Sequence, residues 1–204
     1  MKKKGCAEVG IHSHNLELPK DISQGALLDQ IARLNRAADI HGFIVQLPLP
    51  GHIDEAAVIA AIDPTKDVDC FHPVNVGKLC IGDTDGFFPC TPYGIVVLLQ
   101  ENDIDVAGRH VVILGRSNIV GKPLANLLVQ KRQGANATVT VCHTATRAPA
   151  ELTRQADVLV AAMGRPRCVT AAMVKPGAVV VDVGINRVAD TAVKSGHRLV
   201  GDVD

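Results

Sequence analysis

The second half of the chain alternates short, continuous apolar runs with segments in which apolar and polar residues mix. Continuous apolar runs of this length are typical of strands that are buried on both faces of a parallel sheet. The predicted strands are residues 110–114, 138–141, 158–161 and 179–183. Helices are predicted to begin near Gly121, Pro149 and Thr170. This repeated alternation of strand and helix predicts an α/β fold built on a parallel sheet.

The first half of the chain has a less regular pattern. Residues 9–16 are interpreted as a short strand, and the compact apolar run at 42–46 is interpreted as a buried strand. The proline-rich segment 47–51 that follows cannot continue a strand ladder. Residues 23–38 carry apolar side chains at helical spacing, which predicts a helix with Ser23 as its N-cap.

Two further segments complete the first half. Asp54 is expected to cap a helix that runs from Glu55 to about Ile62. Residues 63–92 are rich in Gly, Pro, Asp and Asn, so they are interpreted as a long loop. A loop of that length in a compact domain is usually functional.

The next helix is expected to join two domains. Thr91 and Pro92 suit the N-cap and the first position of this helix, which is predicted to end near Asn102. The expected domains are therefore residues 1–92 and residues 93–204. A chain of 204 residues is long enough for one large domain or two small ones.

Charge and composition remove several classes of function. Lys plus Arg and Asp plus Glu each number 21, so the formal net charge is zero. Neither nucleic acid nor an anionic membrane is therefore predicted as a partner. Aromatic residues make up only 2% of the chain, which leaves few stacking platforms for single-stranded nucleic acid.

Targeting and metal signals are also missing from the sequence. No apolar run reaches the roughly 18 residues that a transmembrane helix requires, and the first residues do not form a secretory signal. The six cysteines include no Cys-x-x-Cys pair, so no metal site is predicted. Scattered, reduced thiols are typical of a cytoplasmic protein.

A candidate phosphate-binding loop follows the predicted strand at 110–114. A strand, a tight turn and a helix N-terminus in that order direct backbone N–H groups and the helix dipole at a phosphate. Gly115 permits the turn, and Gly121 permits close packing of the helix on the sheet. Ser117 and Val120 stand where the common Gly-x-Gly-x-x-Gly pattern has its later glycines, so an ordinary strand-to-helix turn remains an alternative.

The end of the second strand of this domain indicates which dinucleotide binds. Sites for NAD usually place a carboxylate there to hold the ribose hydroxyls. Here the strand leads into His143 and Thr144, and the first carboxylate after it is Glu151. Arg116 and Arg147 supply cations instead. Arginine and hydroxyl donors without a carboxylate suit a 2′-phosphate, so we expect NADP rather than NAD.

Five motifs extend this interpretation to the whole chain. They are Gly-Phe-Ile-Val-Gln-Leu-Pro-Leu-Pro at 42–50, Pro-Thr-Lys-Asp-Val-Asp at 64–69 followed by Phe-His-Pro-Val-Asn-Val-Gly at 71–77, Pro-Cys-Thr-Pro-Tyr-Gly at 89–94, Gly-Arg-Ser-Asn-Ile-Val-Gly-Lys-Pro at 115–123, and Val-Asp-Val-Gly-Ile-Asn at 181–186. In this order they resemble the bifunctional methylenetetrahydrofolate dehydrogenase/methenyltetrahydrofolate cyclohydrolase family. The resemblance implies a Rossmann-type cofactor domain, a smaller α/β folate-binding domain and a cleft between them.

The resemblance also implies a reaction in one-carbon metabolism. A hydride passes from the one-carbon bridge of methylenetetrahydrofolate to NADP, and water then opens the methenyl cation to 10-formyltetrahydrofolate. Members of the family commonly carry out both steps in one cleft, as homodimers. Tetrahydrofolate substrates, NADP and a second copy of the chain are therefore the expected partners.

The resemblance assigns roles to individual residues. It aligns Lys2 with the lysine of a Tyr-x-x-x-Lys motif, and a lysine amine can shuttle protons. Gln46 would hydrogen-bond and steer Lys2, and Asp69 would accept from two N–H groups of the pterin. Gln46, Leu47, Pro48 and Asp69 are the expected substrate-binding residues. The expected cofactor-binding residues are Gly115, Arg116, Ser117, Val120, Gly121, His143, Thr144, Gly164, Gly184 and Ile185.

The individual residues have simpler interpretations without the resemblance. Lys2 would be a solvated charge near the chain start, and Gln46 a satisfied polar residue at a strand end. Asp69 would be a turn residue or a carboxylate with metal-binding potential. His72 and His143 are expected to be structural.

The chain departs from the family pattern at three points. The family begins with a further strand that carries the tyrosine of Tyr-x-x-x-Lys, and it continues beyond Asp204 into a final helix. Cys70 stands where the family usually has glycine, and we expect its side chain to narrow the folate cleft or to redirect the loop.

These departures keep two alternatives open. One is a non-catalytic protein that binds NADP or folate. The other is a different two-domain Rossmann oxidoreductase, such as a shikimate or amino-acid dehydrogenase, against which the Gln-Leu-Pro-Leu-Pro segment at 46–50 argues.

Overall fold

A computed structural model of the chain describes residues 2–204. The chain forms two compact units. The first comprises the chain up to Ile40 together with Val45–Ile62, and the second comprises His41–Ile44 and Asp63–Asp204. The expected domain boundary at residue 92 stays a prediction. Within residues 2–204, every helix is too short or too polar to cross a membrane.

The first unit consists of three helices joined by irregular segments. These are α1 (Lys2–Glu8), α2 (Gln24–Arg36) and α3 (Glu55–Ala61). The Ser23 hydroxyl accepts from an N–H group in the first turn of α2, so the predicted N-cap is confirmed. The predicted cap at Asp54 is also confirmed, because its carboxylate accepts from two N–H groups in the first turn of α3.

Both strands predicted in the first half are wrong. Residues 9–16 are irregular, and the run at 42–46 forms only a single bridge, between Phe43 and Asp67. Val9 and Ile11 are 69% and 59% exposed. A strand requires a neighbour to satisfy its backbone N–H and C=O groups. Neither segment therefore forms a strand, because no adjacent strand pairs with it within residues 2–204.

The second unit begins with two helices, α4 (Pro73–Ile81) and α5 (Cys90–Glu101). The interpretation of 63–92 as one long loop is wrong, because α4 lies within it. The ring of His72 accepts from the N–H of Val74 at 3.2 Å and caps α4. Helix α5 begins one residue before Thr91, and its N-cap is Pro89. Pro92 fits in the first turn of α5, where an N–H group has no helical acceptor.

The second unit is organised around a four-stranded parallel sheet. Its strands are β1 (His110–Leu114), β2 (Thr138–Cys142), β3 (Val158–Ala161) and β4 (Val179–Asp182), in the spatial order β2-β1-β3-β4. Helices α6 (Gly121–Leu128) and α7 (Pro149–Thr153) begin at their predicted residues. The helix expected near Thr170 is only a 3-10 turn, Ala171–Met173. The predicted α/β fold with a parallel sheet is confirmed.

The two central strands of the sheet, β1 and β3, are buried on both faces. Side chains alternate along a strand, so Val111 and Ile113 of β1 lie in one apolar cluster, with α5 and α6. Val112 and Leu114 lie in a second cluster on the opposite face. All four side chains are at most 2% exposed. This double burial explains the continuous apolar runs from which the strands were predicted.

A two-stranded hairpin that the sequence did not predict follows the sheet. Strands β5 (Asn186–Ala189) and β6 (His197–Val200) are antiparallel. Their side chains are mostly exposed or half-buried, so they lack the apolar run that marks β1 to β4. Beyond β6 the chain returns toward the sheet, where Val203 forms a parallel bridge with Val169.

Candidate functional site

The carboxyl ends of the four parallel strands lie at one edge of the sheet, which we call the carboxyl edge. Open α/β sheets bind their ligands beyond this edge. The loops that leave it here are 115–120, 143–148, 162–165 and 183–185. They contain every residue that the sequence assigned to the cofactor except Gly121, the first residue of α6.

The loop after β1 has no space for side chains at two of its positions. Gly115 has a φ of +127°, and a Cβ atom there would overlap the carbonyl of Ala162. A Cβ atom at Gly121 would overlap the carbonyl of Gly115. Both glycines are therefore required by the path of the backbone.

Ser117 holds the same loop in shape. Its hydroxyl accepts from the N–H of Val120 at 3.0 Å and, more weakly, from the N–H of Gly121 at 3.4 Å. In the part of the chain that the structure describes, the N–H groups of Ser117, Asn118 and Ile119 donate to no protein acceptor. Exposed N–H groups before a helix N-terminus are suitable donors to phosphate oxygens.

The turn after β2 is held by its own side chains. The N–H of His143 donates to the hydroxyl of Thr146 at 2.8 Å. The ring of His143 accepts from the N–H of Ala145 at 3.2 Å, a structural contact. Thr144, Arg147 and, across the edge, Arg116 are exposed. This turn thus carries donors and cations without a carboxylate, as a 2′-phosphate requires.

The sequence did not assign roles to two aspartates at this edge. Asp202 is fully buried and accepts from the N–H groups of residues 163–165, which include Gly164. Asp182 ends β4 and accepts from the N–H of Gly184 at 2.9 Å. Ile185, the next residue, is 80% exposed. A carboxylate directly after an apolar strand was a usable signal for Asp182, whereas no local pattern marks Asp202.

The first unit contains the expected catalytic pair. The Lys2 ammonium donates to Oε1 of Gln46 at 2.9 Å, so the predicted hydrogen bond between these residues is present. Nε2 of Gln46 in turn donates to the carbonyl of Leu47 at 3.0 Å. The peptide bond between Leu47 and Pro48 is cis. The two hydrogen bonds orient the Gln46 amide so that its oxygen faces the amine of Lys2.

The turn that carries Asp69 is stabilised by the buried carboxylate of Asp67. Asp67 is 2% exposed and accepts from the N–H of His72 at 2.8 Å and from Nδ2 of Asn75 at 2.9 Å. Nδ2 of Asn75 also donates to the carbonyl of Pro64 at 2.8 Å. Asp69 itself is half-buried. Asp67 therefore sets the shape of the turn, while its neighbour two positions on reaches solvent.

The backbone conformation at Cys70 explains why the family that this chain resembles usually has glycine at this position. Its φ is +58°, a left-handed conformation that a side chain disfavours. The side chain is 3% exposed. Burial, with a smaller contribution from the charge of Asp67, raises the pKa of the Cys70 thiol to about 11. The thiol is therefore protonated at neutral pH and behaves as a small apolar group.

The predicted site residues fall into both units. Lys2, Gln46, Leu47 and Pro48 belong to the first, whereas Asp69 and all the predicted cofactor residues belong to the second. Within the second unit, the cofactor residues meet at the carboxyl edge. The predicted cleft between domains stays a prediction.

Two family models match the chain. The model described as "Tetrahydrofolate dehydrogenase/cyclohydrolase, NAD(P)-binding domain" matches residues 89–204. The model described as "Tetrahydrofolate dehydrogenase/cyclohydrolase, catalytic domain" matches residues 1–69. Together they account for most of the chain.

Relatives and solved structures agree with these models. A "Bifunctional protein FolD" from Chlorobium phaeobacteroides is 57% identical over 204 residues, which is 100% of this chain and 69% of the relative. The crystal structure of a bifunctional FolD from Campylobacter jejuni has a TM-score of 0.91 at 47% identity, covering 100% of this chain and 68% of that one. A FolD from Trypanosoma brucei, solved with NADP cofactor and inhibitor, has a TM-score of 0.91 at 42% identity, covering 99% of this chain and 68% of that one.

Proposed function

The chain belongs to the tetrahydrofolate dehydrogenase/cyclohydrolase family, and we propose that Lys2 and Gln46 act in its catalysis and that Asp69 binds the folate. The chain is a bifunctional enzyme of one-carbon metabolism. It oxidises methylenetetrahydrofolate to methenyltetrahydrofolate with NADP and hydrolyses the product to 10-formyltetrahydrofolate. The observation that carries the proposed residue roles is the hydrogen bond from Lys2 to Gln46, which joins side chains 44 positions apart.

The carboxyl edge fits NADP. The backbone at Gly115 and Gly121 leaves no room for a Cβ atom, and the N–H groups of Ser117, Asn118 and Ile119, which donate to no protein acceptor within the described residues, are available to phosphate oxygens. Arg116, His143 and Thr144 would hold the 2′-phosphate. Gly164, Gly184, Ile185 and Val120 would line the rest of the cofactor through their backbone. When bound, NADP supplies the acceptor for a hydride from the one-carbon bridge of the substrate.

Lys2 would accept and donate the protons that are transferred in the hydrolytic step. Addition of water to the methenyl cation releases one proton, and formation of the formyl C=O from the resulting hydroxyl group releases a second. The nitrogen that leaves when the C–N bond breaks takes up one of these protons, and the other passes to solvent. An amine close to the one-carbon unit can accept a released proton and donate it to the leaving nitrogen. Gln46 holds the Lys2 amine through its amide oxygen, which restricts the directions in which the amine can act.

Asp69 would bind the pterin. Its carboxylate can accept from the ring N–H and the exocyclic amino group together, and paired contacts of this kind orient a flat heterocycle. The buried carboxylate of Asp67 stabilises the same turn by accepting hydrogen bonds from His72 and Asn75. Leu47 and Pro48 would contact the folate next to Gln46. Assembly as a homodimer and a cytoplasmic location also belong to this proposal, and they rest on the family resemblance.

The test follows the absorbance band of methenyltetrahydrofolate. The protein is mixed with methylenetetrahydrofolate and NADP, and then with NAD. We expect the band to rise with NADP and then to decay faster than in a blank without enzyme. Binding of NAD at least as tight as that of NADP would contradict the cofactor preference. Binding of NADP without any rise would mean that the chain is not catalytic.

A matched pair of variants tests the role of Lys2. Lys2→Met removes the amine that contacts Gln46, whereas Lys3→Met removes an exposed amine from the next position of the same helix. We expect Lys2→Met to slow the hydrolysis of methenyltetrahydrofolate at least about a hundredfold, the usual range for loss of a proton-transfer group. Lys3→Met should leave it unchanged. Equal hydrolysis rates in the two variants would refute the assignment.

A further inference from the structure

A single carboxylate, that of Asp202, binds three consecutive N–H groups of the loop after β3. Oδ2 accepts from Met163 at 2.6 Å and from Gly164 at 2.9 Å, and Oδ1 accepts from Arg165 at 2.9 Å. Oδ1 also accepts from the side-chain amide of Asn186 at 2.8 Å. Asp202 is 0% exposed. It therefore connects the loop after β3 to the start of the β5–β6 hairpin.

Asp202 is in turn held by a second carboxylate. Asp182, at the end of β4, accepts from the N–H of Asp202 at 2.9 Å and from the N–H of Val203 at 3.1 Å. It also accepts from the N–H of Gly184 at 2.9 Å. The hydrogen bonds thus run without a break from the end of β4, through Asp182 and Asp202, to the loop that contains Gly164.

Two glycines show how closely this network is packed. A Cβ atom at Gly184 would overlap the carboxylate of Asp202, and a Cβ atom at Gly201 would overlap the carboxylate of Asp182. Each aspartate therefore lies against a backbone segment that only glycine permits.

A buried carboxylate of this kind is unfavourable unless several donors compensate the loss of water. Here four donors surround Asp202, and three of them are backbone N–H groups that converge on one point. Such a group of N–H donors is a typical binding place for an anion. In this protein the anion is a side chain, which fixes the loop at residues 163–165, including the φ of +63° at Gly164.

We propose that Asp202 is a positioning residue for NADP: it holds the loop after β3 and the start of the hairpin in the shape that receives the cofactor. The inference rests on the proposed function, which assigns Gly164, Gly184 and Ile185 to the cofactor. The fully buried carboxylate of Asp202 accepts directly from the N–H of Gly164. It acts on the segment of Gly184 and Ile185 through its neighbours: Asn186 donates to it, and Asp182 accepts from both Asp202 and Gly184. The donors to its carboxylate include neither Lys2 nor Gln46, so we expect its loss to change cofactor affinity.

The test compares two Asp→Asn substitutions in the same unit. Asp202→Asn replaces one acceptor oxygen by an NH₂ group, which then faces N–H donors. Asp157→Asn makes the same change at the other edge of the sheet, where Asp157 accepts from the N–H of His110 and pairs with Lys175. NADPH binding is measured for both variants and the wild type by titration of NADPH fluorescence, and folding is checked by circular dichroism.

We expect Asp202→Asn to raise the Kd for NADPH at least about tenfold, because hydrogen bonds to a charged group are lost in a closed site. The KM for NADP should rise in parallel, while the KM for methylenetetrahydrofolate should stay within about twofold, because the donors to the Asp202 carboxylate include none of the proposed folate-binding residues. Asp157→Asn should leave the Kd unchanged. A folded Asp202→Asn protein that binds NADPH as tightly as the wild type would overturn the proposal.

Asn186→Ala covers the case in which Asp202→Asn does not fold. It removes one of the four donors and leaves the carboxylate in place, so we expect a rise in Kd of about threefold to fivefold. No rise would overturn the proposal. The exchange Asp202→Asn/Asn186→Asp restores a carboxylate–amide contact and should recover part of the affinity. If the wild type itself fails to bind NADPH, the proposed cofactor site is wrong; if it binds and the variants bind equally well, only the role of Asp202 is wrong.

Discussion

The two edges of the parallel sheet use the same kinds of residue in different ways. At the carboxyl edge, Asp202 is fully buried and binds the backbone of a distant loop. At the opposite edge, which we call the amino edge, Asp157 lies beside the start of β3, and its side chain is 36% exposed in an ion pair with Lys175. Gly115 at the carboxyl edge has no space for a Cβ atom, whereas Gly108 at the amino edge has open space.

This difference indicates that contacts at the carboxyl edge determine the shape of the ligand-binding loops, whereas contacts at the amino edge contribute mainly to the stability of the fold. At the amino edge, the Asp105 turn is closed by a local, exposed contact, and Asp157 is partly exposed in its ion pair, so we expect a substitution there to lose an interaction without moving the cofactor loops. Loops at the carboxyl edge are held against one another by the buried carboxylate of Asp202, by the exposed carboxylate of Asp182 and by glycines in contact with backbone. A substitution there should therefore change the place where a ligand binds, as expected for the functional edge of an open α/β sheet.

The largest expected effect comes from the two glycines. Gly115→Ala places a Cβ atom against the carbonyl of Ala162 at a φ of +127°. Overpacking and the left-handed backbone together predict a loss of about 3 kcal/mol or more in the free energy of unfolding, with loss of NADP binding. Gly108→Ala has only the backbone penalty, at a φ of +70°, and should lose about 1 kcal/mol and bind NADP normally.

Denaturant titration and calorimetry with NADP measure both quantities. The comparison between the edges fails if Gly108→Ala weakens NADP binding as much as Gly115→Ala does. It also fails if Gly115→Ala is as stable as the wild type, since the backbone could then move away from Ala162 without loss.

A smaller effect is expected from the side chains that close a turn at each edge. Ser117 accepts from the N–H of Val120 at 3.0 Å at the carboxyl edge. Asp105 accepts from the N–H of Ala107 at 3.0 Å in the turn before β1. Replacing either by alanine removes one such contact and should lower the free energy of unfolding by about 1 kcal/mol.

Of these two substitutions, only Ser117→Ala at the carboxyl edge should change the affinity for NADP. We expect Ser117→Ala to raise the Kd for NADP severalfold, because the N–H groups of the phosphate loop lose their fixed direction. Asp105→Ala should leave the Kd unchanged. The two variants are compared by calorimetry at a temperature at which both are folded, and an equal rise in Kd would remove the distinction between the edges.

The same contrast explains which parts of the fold the sequence could predict. Strands β1 to β4 were predicted to within one residue. The central strands β1 and β3 are almost fully buried, so their continuous apolar runs have a single explanation. The outer strands β2 and β4 are only partly buried. The segment at 42–46 has a comparable apolar content and the segment at 9–16 a lower one, and neither forms a ladder. Strand formation depends on a partner, and a local pattern carries no information about partners.

The residues of the candidate site also differ in whether a local sequence pattern could predict them. Gly115 and Gly121 could be predicted because the requirements of a phosphate loop are local. The roles of Lys2, Gln46 and Asp69 came from resemblance, since each has a simpler local interpretation. Asp202 could not be predicted, because its backbone partners lie 37 to 39 positions away and no local pattern connects them.

The smallest expected effect is a pH dependence that belongs to the amino edge alone. The hydrogen bond from Lys175, with a further contribution from the N–H of His110, lowers the pKa of Asp157 below its usual value. A carboxylate with a lowered pKa in the folded state stabilises the protein above its unfolded pKa, about pH 4, and this contribution is lost as the pH falls through the folded value. Asp157→Asn should therefore be less stable than the wild type at pH 7, and the difference should disappear in acid.

Urea unfolding between neutral and acidic pH measures this convergence. Because the side chain of Asp157 is partly exposed, we also expect the difference at pH 7 to shrink in high salt. Lys175→Met should show the same convergence, since it removes the other member of the pair. A constant difference at all pH values would mean that Asp157 acts through packing. A change in NADP affinity in either variant would mean that the amino edge is coupled to the cofactor loops, and the separation of shape from stability would then be wrong.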